Sequence, residues 1–275
     1  MKTIKGQLLM STLEDSQGER RDKRFLEEIV ARVPKRVPLG QDHDASLPNV
    51  VFIENFRLEE LTDHPGEWCI SGDVAMQDGQ DWSKGGGFSF SAVEVVKRRE
   101  DPAGTLYVPY PFYRDESALE EILAYDPQLQ AGRWVKKSAE LALIALIVTS
   151  GLWVLQPARD KFFNEVVWPF LDKVLKKYRE GRFKDIPFEY GSVALGKNGE
   201  KINIRFIPER RNSAGTFTKE LVKGGLEKAM AMIAEDKKGA AVGIKEIKLY
   251  YHNPTDGYRI ESIQYADGQV IHHVT

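Results

Sequence analysis

The stretch that decides the fold is Leu141-Ala142-Leu143-Ile144-Ala145-Leu146-Ile147-Val148-Thr149-Ser150-Gly151-Leu152-Trp153-Val154-Leu155, which contains no charged residue. Lys136 and Lys137 precede it, and Arg159 follows it. A helix that crosses a bilayer needs about 20 apolar residues, with roughly 17 as a minimum. We therefore predict a helix here, with two alternatives: a buried helix packed between two folded parts, or a short or tilted membrane span. Its length favours the buried helix.

This stretch lies within a middle segment, residues 101–184. The first part of the segment is rich in proline and glycine and predicts a linker. After the apolar stretch, Phe162 to Tyr178 places its apolar residues on one helical face, which predicts an amphipathic helix. The middle segment is thus expected to hold a central apolar helix pair, whose second helix covers the same core as the first.

The C-terminal segment, residues 185–275, predicts a domain with the element order ββαβββ. Ile202, Ile204 and Phe206 alternate with polar residues, a pattern typical of a strand with one buried face. A helix is expected from Thr218 to about Ala234. Gly224-Gly225 in its middle predict close packing, because each costs about 1 kcal/mol relative to alanine. We expect an antiparallel sheet with the helix on one face.

The N-terminal segment, residues 1–100, predicts a β-rich domain with one inserted helix. The apolar residues between Phe25 and Val33 fall on one helical face, and Pro34 ends the helix. Short β-like runs such as Val50 to Ile53 and Trp68 to Ile70 are separated by turn residues. The chain as a whole is therefore expected to be α+β.

Composition limits the class of protein and its partners. Hydrophobic residues make up 42% and charged residues 29%, which is ordinary for a globular protein. With 39 basic and 41 acidic residues the net charge is -2, so no specific nucleic acid is expected as a partner. The single cysteine, Cys69, and the lack of a signal-peptide pattern favour the cytoplasm. Membrane association through Leu141 to Leu155 is the alternative location.

No cofactor and no metal site are expected from the sequence. Gly85-Gly86-Gly87 lacks the Lys-Ser/Thr pair that follows the glycines of a phosphate-binding loop. His272 and His273 fall on opposite faces of a strand, which is poor geometry for a shared metal ion. The glycines therefore predict a flexible turn, and the histidines predict no metal centre.

A short set of motifs in the first third of the chain suggests a family. Val37 to Asp44 forms an apolar strand that ends in His43-Asp44, and Gly87-Phe88-Ser89-Phe90-Ser91 follows about 45 residues later. This order over residues 4 to 96 resembles the phage prohead (capsid maturation) serine proteases, which are distantly similar to the herpesvirus assemblins. In that family a His-Asp at a strand end supplies the catalytic histidine, and a later Gly-apolar-Ser strand supplies the nucleophile.

The resemblance implies a role for two residues, His43 as general base and Ser89 as nucleophile. A serine hydroxyl becomes a good nucleophile when an imidazole takes its proton, and a third group normally orients that imidazole. Backbone N–H groups near Gly85-Gly86-Gly87 are candidates to stabilise an oxyanion. For the third group, the sequence leaves Glu54, Glu59 and Asp73 open. Ser91 stands where the family has glycine, and Gln77 to Gly86 is too short and too polar for the helix that usually precedes the serine.

Two functions are consistent with these residues. The first is a serine endopeptidase of prohead-protease type, whose C-terminal domain recruits a protein substrate. The second is a non-enzymatic, phage-related sensor or effector that binds a protein partner through a degenerate protease-like domain, as a bacterial defence protein would. An oligomer is compatible with either function.

Overall fold

The computed structural model describes residues 2–15, 18–39, 51–76, 91–136, 144–153, 159–196, 199–208 and 213–272. The protein is α+β, as expected, and the described strands form two sheets. The chain divides into two compact units. Unit 1 consists mainly of the described residues up to Ser91, and unit 2 contains most of those that follow.

The described residues of unit 1 form a four-stranded antiparallel sheet and one helix. In the order of the sheet, its strands are β1 (Lys2–Ser11), β4 (Trp68–Met76), β3 (Val51–Glu60) and β2 (Arg36–Leu39). Helix α1 (Lys23–Arg32) begins at Asp22, whose side chain accepts a hydrogen bond from the N–H of Phe25 at 2.7 Å. The helix expected between Phe25 and Val33 is confirmed.

The two faces of this sheet differ in chemistry. Successive strand residues point to opposite faces, and Ile53 pairs with Val74, so both lie on the apolar face. Helix α1 packs against β3 and β4, with Leu26 fully buried. The opposite face, which we call the charged face, carries five charged side chains: Arg36, Glu54, Arg57, Glu59 and Asp73.

Unit 2 is built on a mixed nine-stranded sheet. Its strands in chain order are β5 (Ser91–Lys97), β6 (Gly104–Val108), β7 (Leu129–Lys136), β8 (Ile144–Trp153), β9 (Phe188–Leu195), β10 (Lys201–Ile207), β11 (Ile244–Asn253), β12 (Gly257–Tyr265) and β13 (Val270–His272). Their order in the sheet is β13-β12-β11-β10-β9-β8-β6-β7-β5. The linker predicted at the start of 101–184 is therefore wrong over Gly104–Val108, which is a strand. Leu129–Lys136 is a further strand, which was not predicted.

The described helices of unit 2 are α2 (Glu116–Leu123), α3 (Arg159–Phe162), α4 (Trp168–Glu180), α5 (Lys219–Glu235) and α6 (Lys237–Val242). Of these, α2, α4 and α5 pack on the sheet and contribute side chains to one apolar core with it. A π-helical turn, Phe163–Val167, joins α3 to α4, so the helix predicted from Phe162 to Tyr178 is confirmed. Thr218 caps α5 by accepting a hydrogen bond from the N–H of Leu221, which confirms the predicted start of that helix.

The described part of the apolar stretch Leu141 to Leu155 is a strand. Over Ile144–Trp153 it forms β8, which pairs antiparallel with β6 and parallel with β9. The predicted helix is therefore wrong here in both its buried and its membrane-spanning form. Both faces of β8 are covered, since Leu146 is 0% exposed and its neighbour Ala145 is 5% exposed. A central strand buried on both faces has a continuous apolar sequence without the alternation that usually marks a strand.

The C-terminal segment follows the expected order β9-β10-α5-β11-β12-β13, with a 3-10 turn (Ser213–Thr216) before α5 and the short helix α6 after it. One pair departs from the expected antiparallel sheet, because β10 and β11 are parallel neighbours. Helix α5 lies between these two strands in the chain. It returns the chain to the end of the sheet at which β10 begins, so that β11 runs in the same direction as β10. The boundary predicted between residues 184 and 185 falls within a single sheet, because β6, β7 and β8 belong to the sheet that contains β9 to β13. Among the described residues, no helix is long and apolar enough to cross a bilayer.

Candidate functional site

The two residues predicted to carry chemistry, His43 and Ser89, lie outside the described residues, as do Gly85-Gly86-Gly87. The strands that lead to them are described. Leu39, the last residue of β2, pairs with Val51, the first residue of β3. Val51 in turn pairs with Met76, the last residue of β4. The sequence after Leu39 that contains His43 and the sequence after Met76 that contains Ser89 therefore start from the same end of the sheet.

Asp73, one of the three candidates for the third group, has a saturated carboxylate. Its Oδ1 accepts from the backbone N–H of Gly6 at 3.0 Å and from Arg57 Nη2 at 2.9 Å. Its Oδ2 accepts from Asn55 Nδ2 at 3.1 Å and from Arg57 Nη1 at 3.4 Å. The bonds from Arg57, then those from Gly6 and Asn55, hold the pKa of Asp73 well below its ordinary value.

Two irregularities in the neighbouring strands bring these donors to Asp73. The pairing of β1 with β4 shifts between Ile4 and Gln7, and that of β3 with β4 shifts between Glu54 and Arg57. Each β-bulge contains one residue with positive φ, Gly6 at 63° and Asn55 at 55°. Positive φ turns the peptide group out of the regular ladder, and asparagine is one of the residue types that tolerates it. Asp73 thus joins both bulges to the central strand β4.

Glu59, the second candidate, is also bonded within the charged face. Its Oε2 accepts a hydrogen bond from Ser71 Oγ at 2.5 Å, and its Oε1 accepts one from Arg57 Nε at 3.2 Å. Arg57 therefore bridges Glu59 and Asp73, and its hydrogen bonds to Asp73, followed by the negative charges of Asp73 and Glu59, raise its pKa. Ser71 donates to a carboxylate, which is the arrangement of a structural hydroxyl.

Glu54, the third candidate, has the least occupied carboxylate of the three. It lies opposite both Arg36 on β2 and Asp73 on β4. Among the described residues its ion-pair partner is Arg36, whose Nε is 3.9 Å from Glu54 Oε2. That distance is too long for a hydrogen bond. The Arg36 guanidinium lies over the ring of Phe52, 3.8 Å from its centroid, so its direction is set mainly by the aromatic ring.

A second charged cluster crosses three strands of unit 2. Arg205 on β10 donates to Glu189 on β9 at 2.6 Å and lies 3.6 Å from Glu246 on β11, which also has Lys248 within 3.7 Å. The charge of Glu189, and then that of Glu246, raises the pKa of Arg205. Burial alone would raise the pKa of Glu246, but the charges of Lys248 and Arg205 lower it. Two cations and two carboxylates balance, so this cluster has no excess charge with which to bind a phosphate.

The partners of Asp73 are the main feature that the sequence did not reveal. No sequence motif marks Arg57 or Asn55, because both bond to Asp73, which lies on another strand. The available signal is a break in strand alternation: two non-apolar positions, Glu54 and Asn55, follow Val51-Phe52-Ile53 in succession. Such a break is expected at a bulge.

Comparison of the chain with models of protein families, with curated proteins and with solved structures gave no match. The functional interpretation therefore depends on the residues and strands described above.

Proposed function

We propose that the chain is a serine endopeptidase of prohead-protease type, with His43 as general base and Ser89 as nucleophile. The observation that supports this proposal is the row Leu39–Val51–Met76, which starts both segments from one end of the unit 1 sheet. His43 is four residues beyond Leu39 and is therefore at most about 14 Å of chain from it. Ser89 is 13 residues beyond Met76, and a segment of that length can fold back to the end of the sheet at which Met76 lies.

The proposed chemistry is acyl transfer to serine and then to water. Ser89 Oγ attacks the carbonyl carbon of a peptide bond while His43 takes the hydroxyl proton. His43 then gives that proton to the leaving amine, the C–N bond breaks, and an acyl-enzyme forms. Water, activated by His43, hydrolyses the ester and regenerates Ser89. Backbone N–H groups of Gly85-Gly86-Gly87 are proposed to stabilise the negative charge on the carbonyl oxygen.

The proposed substrate is a protein, and a phage capsid-assembly component is the proposed class. In this proposal unit 2 recruits the substrate and unit 1 cleaves it.

Labelling with a fluorophosphonate tests this proposal, because the reagent bonds covalently to an activated serine. The wild type is expected to be labelled, while Ser89→Ala and His43→Ala are expected to remain unlabelled. Ser91→Ala is the matched control, since it removes a hydroxyl two residues away and should leave labelling intact. Circular dichroism confirms that each variant is folded. An unlabelled wild type, together with full biological activity of the Ser89→Ala variant, would instead support the non-enzymatic binding protein.

A further inference from the structure

We draw no further inference here: the strongest candidate, the edge strand β5 (Ser91–Lys97) of the unit 2 sheet with its exposed Val93 side chain, carries nothing because no contact in the described part of the chain shows what covers it.

Discussion

The glycine pair in α5 gives a sharp test of the core of unit 2. The sequence predicts close packing at Gly224-Gly225, and the structure assigns it to one residue of the pair. A Cβ on Gly225 would lie 2.5 Å from Cε1 of Phe206 and 3.2 Å from Cβ of Tyr258. A Cβ on Gly224 would have no atom within 4 Å other than those of its chain neighbours and of the adjacent backbone of α5. The two Gly→Ala variants therefore make the same chemical change in one helix, but with opposite packing results.

The expected magnitudes follow from these distances. Alanine is favoured over glycine inside a helix by about 1 kcal/mol, so Gly224→Ala should raise the free energy of unfolding by about that amount. At Gly225 the same gain is opposed by overpacking of about 1–3 kcal/mol. Phe206 is 0% exposed and Tyr258 is 1% exposed, so neither ring can move into solvent. The net effect of Gly225→Ala should lie between about zero and a loss of 2 kcal/mol.

Urea unfolding followed by circular dichroism measures both variants under the same conditions. The helix-propensity gain is common to the two, so the difference between them isolates the packing effect and should be about 1–3 kcal/mol, with Gly224→Ala the more stable. Equal m-values would show that both variants unfold from the same native state. If Gly225→Ala proves as stable as Gly224→Ala, the close contact of α5 with Phe206 is refuted.

Three further predictions concern other parts of the fold. Asp73→Asn should reduce the acid sensitivity of unit 1. The folded-state pKa of Asp73 is depressed, so the stability that this carboxylate contributes is present above about pH 4 and is lost as the pH falls further. Between about pH 4 and pH 2 the melting temperature of the wild type should therefore drop more steeply than that of the variant. Arg205→Met should lower the free energy of unfolding by about 1.5–3 kcal/mol because it removes a hydrogen bond to a charged partner, Glu189. Adding Glu189→Gln should recover part of this loss. If the free-energy changes of the two single variants simply add in the double variant, the pairing is contradicted. Leu146→Ala should cost about 2–5 kcal/mol by chemical denaturation, since it truncates a fully buried side chain at the centre of the sheet, and a loss below about 1 kcal/mol would place the residue outside the core.

Helices α1, α4 and α5 could be predicted from the sequence because their signal is local. Helices α1, α4 and α5 each have an apolar face at helical spacing, and α5 also has a capping threonine, Thr218. The strand β8 could not be predicted in the same way. A run of apolar residues without alternation fits a buried helix and a buried strand equally, and only the neighbouring strands β6 and β9 decide between them.

The charged face of unit 1 was predictable only in part. Glu54, Glu59 and Asp73 could be identified as candidate carboxylates for the proposed site, but no sequence pattern favours one of them. Their difference depends on which donors reach them across β1, β3 and β4, and those donors are placed by two bulges. Such contacts join residues far apart in the chain, such as Gly6 and Asp73, and leave no periodic pattern.

The position of β8 has a consequence for how the protein is made. On one side it needs β6, which is synthesised earlier, but on the other side it needs β9, which begins only at Phe188. At about 5–20 residues per second, a ribosome takes a few seconds to extend the chain from Trp153 to that strand. Until then an uncharged, β-prone segment has one open edge, which is the hallmark of an aggregation-prone intermediate. Expression at lower temperature or with a chaperone that shields nascent apolar segments should therefore raise the yield of folded protein.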